Sequence, residues 1–93
     1  MIRSFGDKGA ETIWDGVFSR RLPQDIQKLI RRKLRMLDAA TDLPTLMAPP
    51  GNRLEALKGD LRGQWSIRIN DQWRICFRWH DGDAYEVQIV DYH

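Results

Sequence analysis

The chain has 93 residues, of which 42% are hydrophobic and 30% charged, and its net charge is +2. These values are typical of one globular domain, residues 1–93, and leave no length for a separate cofactor domain. The chain contains neither the ~20-residue apolar run of a membrane span nor a signal peptide. One cysteine and two histidines give neither an internal disulfide nor a zinc cluster. We therefore expect a cytoplasmic protein with no metal, no other cofactor and no membrane partner.

The first residues predict a short strand followed by a short helix. Ile2–Phe5 is the predicted strand and Lys8–Asp15 the predicted helix. Gly16 suits the end of that helix, because glycine readily adopts the left-handed conformation that often follows a last helical turn.

A longer amphipathic helix is predicted from Pro23 to about Ala40. Pro23 suits a first helical turn, and Asp25 adds a negative charge that the helix dipole favours there. Apolar residues then recur at spacings of three and four, as one buried helix face requires: Ile26, Leu29, Ile30, Leu34 and Leu37. Thr41–Leu46 predicts a last short helix, and Pro49-Pro50-Gly51 interrupts the chain after it.

The second half of the chain is predicted to be a sheet. Apolar and polar residues alternate with the period of two that is expected of strands with one buried face. Asn70-Asp71 and Asp81-Gly82-Asp83 provide turns between these strands. The predicted strands are Arg53–Leu57, Trp65–Asn70, Trp73–His80 and Ala84–Val90. We therefore predict an α+β fold in which two to three N-terminal helices pack on a mostly antiparallel, twisted sheet.

Basic residues are concentrated in two stretches. The stretch from Arg20 to Arg35 has seven basic residues against one acid, and the stretch from Arg53 to Arg78 has six against three. A basic face is typical of proteins that bind a polyanion, and the tryptophans within the second stretch favour RNA. The alternative is a solvated Lys/Arg-rich face, which is commoner for a single helix.

Two arginines of the third predicted strand are expected on its polar face. Trp73, Ile75, Phe77 and Trp79 alternate with them and are predicted to enter the core, so Arg74 and Arg78 point the other way. Arg68 is expected to share this face, where guanidinium groups can bind phosphates bidentately. Cys76 also lies there and is interpreted as a small filler rather than a nucleophile.

The run Asp91-Tyr92-His93 follows the last predicted strand directly. A carboxylate, a phenol and an imidazole on a strand held in a sheet can move protons or bind phosphate, which suggests a site. The alternative is a polar tail, since terminal residues commonly carry no function.

Three blocks of sequence resemble the HigB toxins of bacterial toxin–antitoxin systems, which belong to the RelE superfamily. They are residues 52–60, NRLEALKGD, residues 63–77 with their GQWSIR and QWRICF segments, and the terminal Asp91-Tyr92-His93. The opening residues 1–5 also fit. The resemblance covers the whole chain and implies a RelE-like fold.

The resemblance further implies an activity and partners. The activity is metal-independent endoribonuclease action on mRNA in the ribosomal A site, which inhibits translation. The implied partners are the ribosome, mRNA and a HigA-type antitoxin with a helix-turn-helix domain. Operator DNA is contacted only through that antitoxin.

The motif residues suggest roles in a cleavage that uses the RNA's own 2′-hydroxyl. Lys58, Arg74 and Arg68 suit the charge of the phosphorane. Asp91, Glu55 or His93 can act as the base, and His93 or Tyr92 can protonate the leaving oxygen. The predicted catalytic set is therefore Glu55, Lys58, Arg74, Asp91, Tyr92 and His93. The predicted RNA- or ribosome-binding set is Arg68, Arg78, Arg31, Arg32 and Arg35.

Other interpretations of these residues remain open. Some family members have a histidine at the position of Glu55, so the base is not assigned. Glu55 could instead pair with Arg53 or Arg74, Lys58 could be solvated, and Tyr92 could stack on a base. His80 is interpreted as a surface histidine. The alternative function is a superfamily member without nuclease activity, either a ParE-like gyrase inhibitor or a degenerate, antitoxin-bound co-repressor.

Overall fold

Three α-helices occupy the first half of the chain in the computed structural model, which describes residues 1–91. Helix α1 spans Lys8–Trp14, α2 spans Gln27–Ala39 after a 3-10 turn at Gln24–Ile26, and α3 spans Leu43–Met47. The side chains of Asp7 and Asp42 cap α1 and α3 by accepting the free amide N–H groups of their first turns, at 2.7 and 2.9 Å. Such caps satisfy donors that have no partner inside a helix.

A four-stranded antiparallel sheet, in the order β1-β2-β3-β4, forms the second half. Its strands are β1 Glu55–Ala56, β2 Gln64–Arg68, β3 Trp73–His80 and β4 Asp83–Asp91. Asp81 and Gly82 join β3 to β4 with φ angles of 49° and 80°. Positive φ at both central residues defines the type I′ turn, whose twist matches that of the strands.

The core lies between the helices and one face of the sheet. Ile30, Leu34 and Leu37 of α2 are fully buried, as the helical spacing predicted. They belong to one apolar cluster with sheet residues that include Ile67, Ile75, Phe77 and Ile89. Burying such side chains contributes roughly 1.5–3 kcal/mol each before the entropy of ordering is subtracted. The predicted α+β fold, with helices on a mostly antiparallel sheet, is confirmed.

The first residues differ from their prediction. Ile2–Phe5 does not form a continuous strand but makes two isolated parallel bridges to β4, Ile2 with Ala84 and Phe5 with Val87. The α-amino group of Met1 and the Arg3 guanidinium both pair with Asp83, at 3.1 Å each. The N-terminal segment is therefore fastened along β4, a contact between residues some 80 positions apart that local pattern does not reveal.

The strand predicted over Arg53–Leu57 is shorter than expected. Only Glu55–Ala56 pairs as a strand, because Arg53 has a left-handed φ of 44° and Asn52 is fully buried beside the helices. The chain between α3 and the sheet is thus a fixed turn rather than an extended segment. The last helix also begins at Leu43 rather than Thr41, since Asp42 caps it.

Candidate active site

The polar face of the sheet carries two neighbouring rows of residues that cross the strands. The first row crosses all four strands: Glu55 pairs with Ser66, Ser66 with Cys76, and Cys76 with Gln88. The next row contains Arg68, Arg74 and Val90. Because directly paired residues share a face, Arg68 and Arg74 lie together, as predicted.

Arg74 is the most constrained charged side chain of this face, with 8% of its side chain exposed. Its Nε donates to Ser66 Oγ at 2.8 Å, and its Nη2 donates to the carbonyl oxygens of Arg53 at 2.7 Å and Ser66 at 3.4 Å. Its Nη1 lies 3.1 Å from Glu55 Oε1. A guanidinium held from several sides in this way keeps its orientation before any ligand arrives.

Glu55 is the partner that faces solvent. About half of its side chain (51%) is exposed, compared with 8% for Arg74. The sequence left open whether Glu55 pairs with Arg53 or Arg74, and the structure shows the pair with Arg74. The carboxylate therefore covers the outward side of a nearly buried cation.

Asn52 holds the turn that supplies one of the acceptors of Arg74. Its Nδ2 donates to the Leu46 carbonyl oxygen and to Met36 Sδ, each at 3.0 Å, and its Oδ1 accepts a hydrogen bond from Lys33 Nζ. These contacts fix the adjacent Arg53, whose carbonyl receives the Arg74 guanidinium. Helix α2 is thus connected to Arg74 through two residues of the turn.

No role for Asn52 or Ser66 is predicted from the sequence. Two sequence features could have pointed to them. Ser66 is a small hydroxyl residue in the strand before that of Arg74, and Asn52 directly follows Pro49-Pro50-Gly51. Neither signal reveals a hydrogen bond without the strand register.

Lys58 and Asp91 lie at the borders of this arrangement. Lys58 is exposed, directly after Leu57, whose N–H donates to the Gln64 carbonyl oxygen at 2.9 Å. Asp91 is the last described residue; it pairs with Trp73 in the strand register and accepts a hydrogen bond from Gln72 Nε2 at 3.2 Å. By that register Asp91 shares a face with Trp73, whereas Arg74 shares its face with Val90.

Strand β4 is thus held in the sheet as far as Asp91, which is the anchored end that the terminal triplet requires. The other two predicted members of that triplet, Tyr92 and His93, lie outside the described residues.

The predicted RNA-binding arginines occupy separate places. Arg68 Nη2 pairs with Asp71 at 2.5 Å, and Arg78 Nε pairs with Glu86 at 2.5 Å. The helix arginines border a surface groove of about 240 Å³ on α2 together with Lys28; they are Arg31, Arg32 and Arg35. The structure brings Glu55, Arg68 and Arg74 together on the sheet face, whereas Arg31, Arg32 and Arg35 border the groove on α2.

Burial and neighbouring charges shift the pKa values of Lys33 and Cys76. Partial burial, followed by the positive charges of Arg68 and Arg32, lowers the pKa of Lys33. Burial raises the pKa of the Cys76 thiol, and the Arg74 charge opposes this only in part. Cys76 is fully buried, so the filler interpretation fits its place and the thiolate needed for nucleophilic attack is disfavoured.

Residues 3–93 match the HigB-like toxin family, described as the RelE-like toxin of the type II toxin–antitoxin system HigB. The chain belongs to the HigB-like toxin family. It is 45% identical to Toxin HigB-1 of Vibrio cholerae serotype O1 over 85 residues, which is 90% of each chain. It is 39% identical to Endoribonuclease HigB of Proteus vulgaris over 94 residues, with both chains fully covered. The predicted resemblance is confirmed, and this protein is a toxin of a type II toxin–antitoxin system.

Solved structures agree with the fold of this HigB-like toxin. A variant of YafQ from E. coli superposes with a TM-score of 0.65 at 11% identity, covering 98% of this chain and 91% of the other. The toxin–antitoxin complex YoeB–YefM from Staphylococcus aureus gives 0.62 at 19% identity, covering 100% and 98%. The toxin fold is therefore that of a wider group of small toxins.

Two structural features are absent from residues 1–91 of the toxin. No helix there has the length and apolar character to cross a membrane. Within the same residues, no three His, Cys, Asp or Glu side chains converge as metal ligands do.

Proposed function

We propose that this toxin is a ribosome-dependent endoribonuclease that cleaves mRNA in the A site and thereby inhibits translation. The observation that carries the proposal is the Arg74 guanidinium, fixed by Ser66 and Arg53 behind an exposed Glu55. The relative from Proteus vulgaris that is named an endoribonuclease supports it. We place the activity in the cytoplasm, where ribosomes and mRNA are found.

Arg74 is proposed to stabilise the negative charge of the phosphorane. A preoriented cation in a site of low exposure acts more strongly than in water and needs no reorganisation during the reaction. Removing one such donor typically costs about 10²–10³-fold in rate. Lys58 and Arg68 add positive charge from the sheet edge and from the adjacent strand.

Glu55 is proposed to leave Arg74 when the substrate phosphate arrives. Its half-exposed carboxylate can turn into solvent, while Arg74 keeps its bonds to Ser66 and Arg53. The released carboxylate is then next to the bound phosphate, where it can accept the proton of the 2′-hydroxyl. The free protein thus holds the base and the cation as a closed pair that the substrate opens.

The remaining proton transfers are proposed for the terminal residues. Glu55 is preferred as the base because the strand register puts Asp91 on the face of Trp73 rather than that of Arg74. Asp91 and His93 are the further candidates. His93 as an imidazolium, or Tyr92, supplies the proton for the leaving 5′-oxygen. No metal or cofactor takes part in this scheme.

The basic surfaces are proposed to bind RNA and the ribosome. Arg68 and Arg78 lie on either side of the row that contains Cys76 and bind the mRNA on the sheet face. From α2, ribosomal RNA is contacted by Arg31, Arg32 and Arg35. Such contacts release counterions, so affinity for the ribosome falls steeply with salt. Reversing the charges of Arg32 and Arg35 is expected to flatten this dependence, and an unchanged slope would contradict a role for α2.

A HigA-type helix-turn-helix antitoxin is the proposed protein partner. As a member of a type II system the toxin acts with an antitoxin, and operator DNA is contacted through the antitoxin alone.

The experiment is primer extension on a reporter mRNA in a translating extract. Wild-type protein is expected to create new ends within codons positioned in the A site, and Arg74→Ala or removal of His93 to abolish them while circular dichroism stays unchanged. Unchanged cutting by both variants would contradict the proposed roles. Inhibition of gyrase supercoiling with intact mRNA would favour the ParE-like alternative instead.

A further inference from the structure

A shallow cavity, open to solvent, lies on the polar face of the sheet, beyond the row that contains Cys76. It has a volume of about 430 Å³ and is lined by Ser4, Arg78, His80, Tyr85 and Glu86. Small-molecule sites usually fall in the range of about 300–1,000 Å³. None of the described catalytic candidates, which are Glu55, Lys58, Arg74 and Asp91, lines it, so it is distinct from the Glu55–Arg74 pair.

The cavity combines the groups that recognise a nucleotide. Tyr85, paired with Arg78 in the strand register, offers an aromatic ring, and base–aromatic stacking is the main device for holding single-stranded RNA. Arg78 offers a guanidinium for a phosphate. Glu86 and Ser4 offer oxygen acceptors for the amino groups at the edges of a base.

The ion pair inside the cavity is easily exchanged. Arg78 and Glu86 have 46% and 56% of their side chains exposed, and exposed pairs contribute little to stability because water competes for both partners. A phosphate can therefore replace the carboxylate on Arg78. Arg74 is committed to several buried contacts, so the two arginines of β3 differ in how readily each is released.

The backbone of Glu86 is held in an unusual conformation that directs this residue at the cavity. Its φ is 52°, and the strand register shifts beside it between Cys76 and Arg78. The Glu86 N–H donates to Ser4 Oγ at 2.9 Å, and the next N–H, of Val87, donates to the Ser4 carbonyl oxygen at 3.1 Å. Bulges and left-handed non-glycine residues are concentrated at functional sites, where the surrounding structure maintains the strain.

The position of the cavity matches a strand of RNA that passes Arg74. Arg78 is four residues from Arg74 on the same face of β3, which is about 13 Å at the rise of a strand. Between them Gln64 and Gln88 are joined by a 3.5 Å hydrogen bond and carry no charge. A short run of single-stranded RNA can therefore bind Arg74 with one phosphate and reach Arg78 with another.

We infer that this cavity binds one nucleotide of the single-stranded message that flanks the cleavage site. Tyr85 stacks on its base, Arg78 binds its phosphate, and Glu86 accepts a hydrogen bond from the base edge. The inference rests on the proposed function for its substrate, and it adds a binding subsite that the catalytic residues do not supply.

The test compares Tyr85→Ala with Tyr85→Phe, which keeps the ring, and with Arg62→Ala, which removes an exposed arginine elsewhere. Single-turnover cleavage on programmed ribosomes is measured against toxin concentration. Tyr85→Ala is expected to raise the half-maximal concentration about 5- to 160-fold, corresponding to a stacking contact of about 1–3 kcal/mol. The maximal rate is expected to stay near wild type because Arg74 is intact, and both control variants are expected to match wild type.

A second measurement uses RNA alone, so that it does not depend on cleavage. Binding of a fluorescein-labelled single-stranded RNA hexamer is followed by anisotropy, with one abasic position moved along the strand. Tyr85→Ala is expected to weaken binding of the intact hexamer. When the abasic position occupies the cavity, the substitution is expected to change affinity little, because the base that Tyr85 stacks on is already missing. Arg78→Ala is expected to reduce the slope of log affinity against log salt by about 0.7.

The outcomes separate the two proposals. Tyr85-dependent RNA binding by a protein that leaves mRNA intact would overturn the nuclease function and support the nucleotide subsite. Equal behaviour of Tyr85→Ala and Tyr85→Phe in both measurements would overturn the subsite while leaving the nuclease function standing. If Tyr85→Ala binds RNA like wild type but loses affinity for the antitoxin, the nucleotide subsite would also be overturned. The cavity would then belong to a protein interface.

Discussion

Arg74 and Arg78 lie on the same face of the same strand, four residues apart, yet their surroundings differ. The Arg74 side chain is 8% exposed and is hydrogen-bonded to two neighbouring segments, while that of Arg78 is 46% exposed and pairs with Glu86. The difference comes from what lies beside each residue: the Arg53 carbonyl oxygen accepts a hydrogen bond from Arg74, whereas Arg78 pairs with a half-exposed Glu86. A fixed cation suits a transition state, and an exchangeable one suits a ligand that binds and leaves.

The largest expected effect comes from removing the buried arginine. Arg74→Ala leaves the Ser66 hydroxyl and the Arg53 carbonyl oxygen without their donor, and we expect a loss of roughly 2–4 kcal/mol in the free energy of unfolding. Arg74→Lys should recover part of this loss but not the hydrogen bonds to both segments, because an ammonium group lacks the guanidinium fork. Urea denaturation of both variants measures the loss in the free energy of unfolding. A loss no greater than that of Arg78→Ala would remove the distinction between the two arginines.

A smaller loss is expected when only one acceptor of Arg74 is removed. Ser66→Ala removes the hydroxyl that accepts a hydrogen bond from Arg74 Nε at 2.8 Å. We expect the free energy of unfolding to fall by about 1.5–3 kcal/mol, because the donor is charged and buried. We expect the cleavage rate to fall as well, since the guanidinium becomes less well oriented. Ser66→Cys, which nearly preserves volume, is the matched control for the lost packing. A variant with full stability and full rate would show that Ser66 does not position Arg74.

The dependence of stability on acidic pH tests the ion pairs that join Met1 and Arg3 to Asp83. Hydrogen bonds from the α-amino group, then from Arg3, hold the pKa of Asp83 below its usual value of 3.8. A carboxylate with a depressed folded-state pKa contributes stability above its unfolded pKa and loses it as the pH falls through the folded pKa. Asp83→Asn should therefore lower stability near neutral pH and reduce the loss below pH 3.8. Parallel pH profiles for the two proteins, measured by thermal unfolding, would contradict this.

The smallest effect on stability is expected at the exposed arginine itself. Arg78→Ala breaks one surface ion pair, and we expect a change within about 0.5 kcal/mol in the free energy of unfolding. Urea denaturation beside Glu86→Gln, which breaks the same pair from the other side, should give a similarly small value. A loss above about 2 kcal/mol would mean that the pair is structural, and the contrast with Arg74 would disappear.

Much of this architecture could be predicted from the sequence because it depends on local periodicity. The spacing of Ile30, Leu34 and Leu37 fixed the buried face of α2, and alternation along β3 assigned Arg74 and Arg78 to the polar face. The Asp81-Gly82 turn followed from the backbone preferences of its two residues. Each of these features is set by neighbours a few positions away.

The burial of Arg74 could not be predicted in the same way. It depends on Asn52, whose buried amide contacts Leu46 and Met36, and on a left-handed Arg53, neither of which has a periodic signature. The bulge at Glu86 depends on a contact with Ser4, at the other end of the chain. Alternation says which face a residue occupies, but the loops that cover that face decide whether it is exposed.

The bridges from Ile2 and Phe5 to Ala84 and Val87 have a consequence for how the protein folds. Each bridge joins the N-terminal segment to β4 across about 82 residues of sequence. Contacts of this kind slow folding because the loop between them must be closed first. Because the Glu86 N–H donates to Ser4 Oγ, Glu86 can adopt its final conformation only once the N-terminal segment has docked along β4.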